Sequence, residues 1–372
     1  MIMDLSYWEY KSWLSNIDFT IVGSGIVGLN TALNLKQRFP GANILMLERG
    51  FLPNGASTKN AGFACFGSLS EILDDLKTQT ETEVVDLVKR RNKGLEILRK
   101  NVGDKTLDFH MFGGYEFFFE DDPETHTNTI SSMGAVNEIL HPVFNENVFT
   151  VSENRFGFRN ILEPMIFNKF EGQLDPGKMT EALLKKAHLE GIKILNGITV
   201  EEYTDQQTSV EIKTDKFQFK TGKLLIATNG FASQLGISEV KPARAQVLIT
   251  KPIQNLKLKG TFHIDKGYYY FRNIGDRLLF GGGRNLDFKA EETTEMVQTE
   301  LIQQKLESLL KTVILPETPF EIDRRWSGIM GVGNTKAPVL KQISENVVCG
   351  VRLGGMGVAI GSLVGKELAE LV

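Results

Sequence analysis

The chain has 372 residues, 41% of them hydrophobic and 24% charged, with a formal net charge of −4. That length implies about two domains, with cores large enough to need no disulfide or metal staple. The slight acidity, without a basic stripe, argues against nucleic acid or an acidic membrane surface as the main partner.

Residues 1–14 carry Asp4, Glu9 and Lys11 and lack the apolar core of a signal peptide. Phe19-Thr20-Ile21-Val22 predicts a short buried strand, followed at once by Gly23-Ser24-Gly25-Ile26-Val27-Gly28. An apolar helix runs on to Phe39, Pro40-Gly41 stops it, and Ile44 to Leu47 predicts a second strand ending at Glu48. This is the order of a dinucleotide-binding unit. Gly23 permits the turn, Gly25 lets backbone approach a pyrophosphate, and Gly28 lets helix and strand pack closely. The helix N-terminus offers N–H groups and partial positive charge to phosphates. Glu48 stands where an acid accepts hydrogen bonds from a ribose diol, which favours NAD or FAD over NADP. Phe19 to Leu35 is an uncharged run of seventeen, just under the ~18 residues of a membrane helix. Its glycines and asparagines favour the buried strand and helix, so no stable membrane insertion and a cytoplasmic location are expected.

Gly55 to Ser68 is rich in glycine, alanine and serine, a composition that lets backbone approach a ligand. Glu71 to Lys100 predicts one or two amphipathic helices. Gly114 to Phe119 predicts a strand and Asp121 to Thr129 a polar loop. Asp175 caps a helix that has Pro176 in its first turn and stops at Gly191. Strands are predicted at Ile192–Leu195 and Thr199–Tyr203, with a hairpin at Val210–Lys213 and Phe217–Lys220. A buried strand at Lys223–Ala227 ends in Thr228-Asn229-Gly230, as at a ligand crevice. Further strands are predicted at Ala245–Thr250, Gly267–Phe271 and Arg277–Gly281, then a long helix over Glu291–Leu315. The tail predicts a strand at Asn346–Gly350, a glycine turn at Gly354-Gly355-Met356-Gly357, and a helix over Val358–Leu371. A second strand–glycine–helix unit supplies a second helix N-terminus.

Cys65 and Cys349 suit a reducing compartment and cannot alone form a thiolate metal site. His110, His126, His141, His188 and His263 show no metal-ligand spacing, and no metal is expected.

Taken in order, these segments resemble the FAD-dependent amino-acid and amine oxidoreductases of the glycine oxidase, sarcosine oxidase and D-amino-acid oxidase type. The resemblance covers nearly the whole chain. It rests on the opening fingerprint to Glu48, on Gly55-Ala56-Ser57-Thr58-Lys59-Asn60-Ala61-Gly62, on Gln173 to Pro176 with Ala227 to Gly230, and on the turn at Gly350 to Gly357. The second of these is close to the loop of γ-glutamylputrescine oxidase-like members.

The resemblance implies an α/β, Rossmann-like FAD-binding domain made of residues 1–70, 169–240 and 320–372. A discontinuous α+β substrate domain, 71–168 and 241–319, would be built on a mixed, largely antiparallel sheet. Gly23, Gly25, Ile26, Val27 and Gly28 would hold the pyrophosphate, with Glu48 and Arg49 at the adenosine ribose. Ser57, Thr58, Asn60, Ala61 and Gly62 would lie near pyrophosphate and flavin. Val200 would touch adenine, and Thr228, Asn229 and Gly230 would line the nucleotide. Gly355, Met356, Gly357 and Val358 would bring backbone N–H groups to the flavin pyrimidine, where a helix N-terminus stabilises charge.

The chain departs from its relatives at their reactive positions. No cysteine occurs around Arg325 to Met330, so FAD is expected to bind non-covalently. Met330, Met356 and Ala359 stand where relatives carry substrate-binding groups, and Leu279 where sarcosine oxidases carry a lysine. A buried carboxylate without a cation is costly, which points to an amine lacking one or to an acid gripped by Arg352, Arg272 or Arg284. Cys65, a thiol or a small buried hydrophobe, remains open, as do Tyr268 and Tyr270, which share a strand face. His110 and His263 are bases only by residue type. The expected function is oxidation of a C–N bond in a small amine or amino acid by hydride transfer to flavin N5, with oxygen or another acceptor reoxidising it. A 2-hydroxy-acid dehydrogenase and a flavin-binding protein without turnover remain as alternatives.

Overall fold

The computed structural model describes residues 4–372. The chain starts with a short helix, α1 (Tyr7–Glu9), and enters the first sheet on β1 (Ile17–Val22). Helix α2 (Ile26–Arg38) returns it to β2 (Ile44–Glu48). A two-residue strand, β3 (Phe63–Ala64), precedes α3 (Leu69–Leu76), α4 (Glu81–Val102) and α5 (Asp104–Leu107). Next come β4 (Gly114–Phe119), α6 (Pro123–Phe144), β5 (Phe149–Ser152) and β6 (Ile161–Asn168). β7 (Gly172–Gln173) pairs with β3 and leads into α7 (Pro176–Leu189). The first sheet then resumes with β8 (Lys193–Asn196), β9 (Val200–Asp205), β10 (Val210–Thr214) and β11 (Gln218–Ile226). The second sheet follows with β12 (Lys241–Thr250), β13 (Thr261–Ile264), β14 (Tyr269–Ile274) and β15 (Arg277–Gly282). After α8 (Glu300–Leu309) come β16 (Ile322–Val332), β17 (Val339–Ser344), β18 (Val347–Val351) and α9 (Gly357–Glu370).

The first sheet runs β17-β18-β11-β1-β2-β8, with β10 and β9 branching from the early part of β11. Its middle strands are parallel. Strands buried on both faces need near-continuous apolar sequence, and β2 is buried throughout. The second sheet runs β16-β12-β15-β14-β13-β4-β6-β5 and is antiparallel except for β13 beside β4. Stacked aromatics fill its core: Phe262 and Phe271 lie 4.5 Å apart at 3°. The expected boundary at residue 320 does not follow the sheets, because β16 pairs along its length with β12.

Several local expectations differ from the structure, among them the strand expected from Ala245, which starts at Lys241. Residues 123–129 are not a loop but the first turns of α6: Asp122 caps them by accepting from the Thr125 N–H at 3.3 Å, and Pro123 sits in the first turn. The helix expected from Glu291 starts only at Glu300. Upstream, the Glu291 carboxylate is pulled inward to the buried Arg244 guanidinium at 2.6 and 2.9 Å, and Gln246 Oε1 accepts the Thr299 N–H at 2.9 Å. These ties hold 291–299 out of helical geometry. The segments Phe217–Lys220 and Lys223–Ala227 form one strand, β11, whose ends pair with different neighbours. Strand β14 begins at Tyr269, two residues later than expected, because Tyr268 turns back to donate its N–H to Asp265 at 2.9 Å.

The start of α7 is as expected. Asp175 Oδ1 accepts from the Gly177 and Lys178 N–H groups at 2.8 and 3.0 Å. Asp175→Ala should therefore cost about 1 kcal/mol, read as a lower chemical-denaturation midpoint at unchanged slope.

Candidate active site

The two sheets face each other across a cavity of about 480 Å³. One wall comes from the carboxyl edge of the first sheet, where such sheets bind ligands. Val22, Gly23 and Gly25 from the end of β1, Leu47 to Arg49 from β2 and Ala227 to Asn229 after β11 all line it. The N-termini of α2 and α9 reach the same cavity, through Gly25 to Val27 and Gly355 to Val358. Each helix leaves its first N–H groups without intrahelical partners. The loop from Gly55 to Phe63 lies between them, with the exception of Thr58.

Glu48 is buried at the cavity edge. Its carboxylate accepts from the Ser24 N–H and hydroxyl at 3.1 and 2.9 Å, and from the Gly50 N–H at 2.9 Å. The carboxylate is thus held in place at the strand end. The Ser57 hydroxyl accepts the Ile26 N–H at 2.8 Å, at the mouth of α2. The Arg49 guanidinium stacks on Phe231 at 3.5 Å, and burial lowers its pKa against the pull of Glu48.

Three expected cofactor residues do not line the cavity. The Thr58 hydroxyl turns away to donate to Pro53 O at 2.7 Å. Gly28 serves packing, since a Cβ there would lie 2.0 Å from Gly23 O. Gly230 does likewise, with a Cβ position 2.4 Å from Met330 O.

The opposite wall belongs to the second sheet. Tyr268 and Tyr270 both line the cavity, while Tyr269 is buried on the other face against Phe280. Phe63, from the cofactor-side loop, meets the edges of both Tyr270 and His263. Burial pushes the Tyr270 phenol up to about 12, despite Arg284 nearby.

The three candidate arginines separate clearly. Arg272 is a brace. Its guanidinium donates to the carbonyls of Ala61, of Leu174 at 2.9 Å and of Asn273 at 3.3 Å, so it holds the cofactor-side loop rather than a substrate. Arg352 lines the cavity but donates to Ala337 O and Thr335 Oγ1, each at 2.9 Å. Arg284 lines the cavity beside Tyr268 and Phe288, at 6.0 and 4.9 Å from their ring centres.

Cys65, Glu171 and His263, which are far apart in sequence, meet at the cavity wall with one polar atom of each within 4.8 Å of the others. His263 Nε2 lies 2.5 Å from Glu171 Oε1, which also accepts from the Thr261 hydroxyl at 2.8 Å. Burial alone would lower the His263 pKa. Glu171, helped by Glu71 and Glu116, more than reverses this and raises it to about 9. His263 is therefore an imidazolium at neutral pH, not a base. Burial, then Glu171 and Glu71, push the Cys65 thiol up, so it stays protonated. His110 lies outside the cavity, exposed and paired with Asp108 at 3.0 Å. Met330 and Met356 line the cavity, whereas Leu279 and Ala359 are buried elsewhere.

FAD fits this donor set. Two helix N-termini open onto the cavity, Glu48 is held at the strand end by Ser24 and Gly50, and the buried Thr228 hydroxyl in the wall has no protein partner.

The fold and the cavity define a flavin-dependent oxidoreductase, and the FAD dependent oxidoreductase family (DAO) matches residues 18–371. The chain belongs to that family. It is 24% identical over 95% of its length to a γ-glutamylputrescine oxidoreductase of Escherichia coli K12, covering 83% of that protein. It is 21% identical over 96% of its length to a probable oxidoreductase, OrdL, of Haemophilus influenzae, again covering 83%. Among solved structures, the glycine oxidase of Geobacillus kaustophilus superimposes with a TM-score of 0.75 at 18% identity, covering 95% of this chain and 94% of that one. Among the described residues, no helix is long and apolar enough to cross a membrane.

Proposed function

We propose that this FAD enzyme oxidises a C–N bond of a small amine or amino acid. The reading rests on one observation: the wall of Tyr268, Tyr270 and Arg284 faces the glycine turns across a single cavity. The similarity to a γ-glutamylputrescine oxidoreductase and the likeness of fold to a glycine oxidase support it. Bound FAD supplies the acceptor for the electron pair that leaves the substrate carbon.

The expected cofactor residues that line the cavity, all but Gly28, Thr58 and Gly230, would hold FAD through the first sheet, α2 and α9. The domain division follows the same logic, with β16 counted in the substrate domain. The Tyr270 phenol stays protonated and donates to substrate. Glu171 favours the protonated form of His263, so the wall offers no neutral histidine base. Binding would be non-covalent. The segment around Trp326 has no cysteine, and Cys65 is a buried, protonated thiol whose sulfur lies 3.6 Å from Met356 Sδ. The two unbridged cysteines suit a reducing, cytoplasmic setting.

Denaturing the purified protein should leave a yellow supernatant and a colourless pellet. Anaerobic mixing with panels of amines, amino acids and 2-hydroxy acids should bleach the flavin with the nitrogen compounds alone. Bleaching by hydroxy acids alone would sink the reading.

A further inference from the structure

Any cation that grips a substrate in this cavity must have a guanidinium or ammonium to spare. Arg49 is stacked on Phe231, and Arg91 donates to Phe66 O at 2.6 Å. Arg272 is spent on three carbonyls and Arg352 on Ala337 O and Thr335. Lys266 and Lys336 pair with Asp74 and Asp75 at 3.6 and 2.6 Å. Among the described residues, that leaves Arg284, Lys59 and Arg49 as cavity cations without a hydrogen bond or ion pair to the protein, and Arg49 stands on the cofactor side, next to Glu48 at the end of β2.

Their placement differs. Lys59 belongs to the cofactor-side loop, where its carbonyl takes the Trp326 indole N–H at 2.9 Å and its stem packs on Gly328. Arg284 belongs to the substrate wall. Its backbone is set by Gly283, in the left-handed region at φ 81°, whose N–H donates to Tyr268 O at 2.9 Å. The next residue, Asn285, donates to Asp265 at 2.8 Å. The rings of Tyr268 and Phe288, themselves edge to face 5.6 Å apart, both lie beside the guanidinium. A planar fork pre-set by backbone and aromatic contacts suits a planar carboxylate. The Tyr270 hydroxyl, in the same field, offers a further donor.

We propose that Arg284 binds a carboxylate of the substrate, so that the substrate is an amine bearing an acid group rather than a simple amine. This rests on the amine-oxidising reading above and assigns the anion grip to the turn after β15, not to the Met330 position.

The test uses flavin-loaded protein and two matched comparisons. First, benzoate and benzyl alcohol are titrated while the flavin absorbance is followed. Benzoate should perturb the spectrum of the wild type and benzyl alcohol should not. Arg284→Met should weaken benzoate binding about a hundredfold, Arg284→Lys should restore part of it, and Lys59→Met should leave it within about threefold. Second, proline is compared with pyrrolidine and alanine with ethylamine in anaerobic bleaching. The acid-bearing member should be preferred, and Arg284→Met should remove that preference through KM rather than kcat. No benzoate response in the wild type, a response that survives Arg284→Met, or one lost in Lys59→Met instead would overturn the assignment. Failure of every amine to bleach flavin, with the benzoate result intact, would overturn the amine reading and leave the acid grip standing.

Discussion

Gly28→Ala is expected to yield a protein that loses its flavin on purification. A Cβ at that position would lie 2.0 Å from Gly23 O and 3.3 Å from Ile21 Cγ2. Backbone cannot yield as a side-chain tip does, so α2 must move away from β1. The same displacement carries the Gly25 to Val27 N–H groups away from the phosphate position. Overpacking of this kind costs about 1–3 kcal/mol. If most of that falls on the bound form, flavin affinity drops about ten- to a hundredfold. Gly41→Ala is the control, since nothing lies within 4 Å of its Cβ position. The ratio of flavin absorbance to protein absorbance after desalting reads the outcome. Equal ratios for the two variants would refute the packing role.

Glu171→Gln should produce the largest loss of stability, about 3–5 kcal/mol, because it leaves a buried imidazolium unpaired. The neutral partner change, His263→Gln, tests the same contact through pH. The His263 pKa is raised from 6.5 to about 9, against burial and by Glu171 foremost. A group with a raised folded pKa contributes fully below its unfolded value and loses that contribution as pH climbs through the folded one. The His263 contribution is thus complete below about pH 6.5, fades through about pH 9, and is on the order of 3 kcal/mol. Denaturation midpoints of wild type and His263→Gln should converge as pH rises across that window. A constant difference would show that His263 does not change charge there.

Much of the cofactor half was legible because its signals are local. Gly23, Gly25, Glu48 and the turn at Gly354 each sit within a few residues of the element they serve. The start of α7 could be read from Asp175-Pro176. The same pair at Asp122-Pro123 begins α6, but Thr125, Thr127 and Thr129 masked it as a polar loop. The opposite wall resisted reading because its chemistry is assembled across strands. His263, Glu171 and Cys65 lie on β13, before β7 and after β3, and only pairing in space makes an ion pair of the first two. Arg272 and Arg284 look alike in sequence; one is consumed by carbonyls of a distant loop and the other is not. The false helix over Glu291–Thr299 has the same origin, since Arg244 and Gln246 reach it from a different strand.

Strand β16 carries a last consequence. It pairs with β12 in the second sheet, gives a resting place for Gly230 at the end of β11, and accepts the Gly354 N–H at 3.0 Å through Gly331 O. Its Trp326 indole donates to Lys59 O. One strand therefore touches the substrate sheet and three cofactor-side segments at once. Free energy released by cofactor binding is thereby shared with the substrate sheet, so the two halves should gain and lose amide-exchange protection together instead of melting as separate bodies.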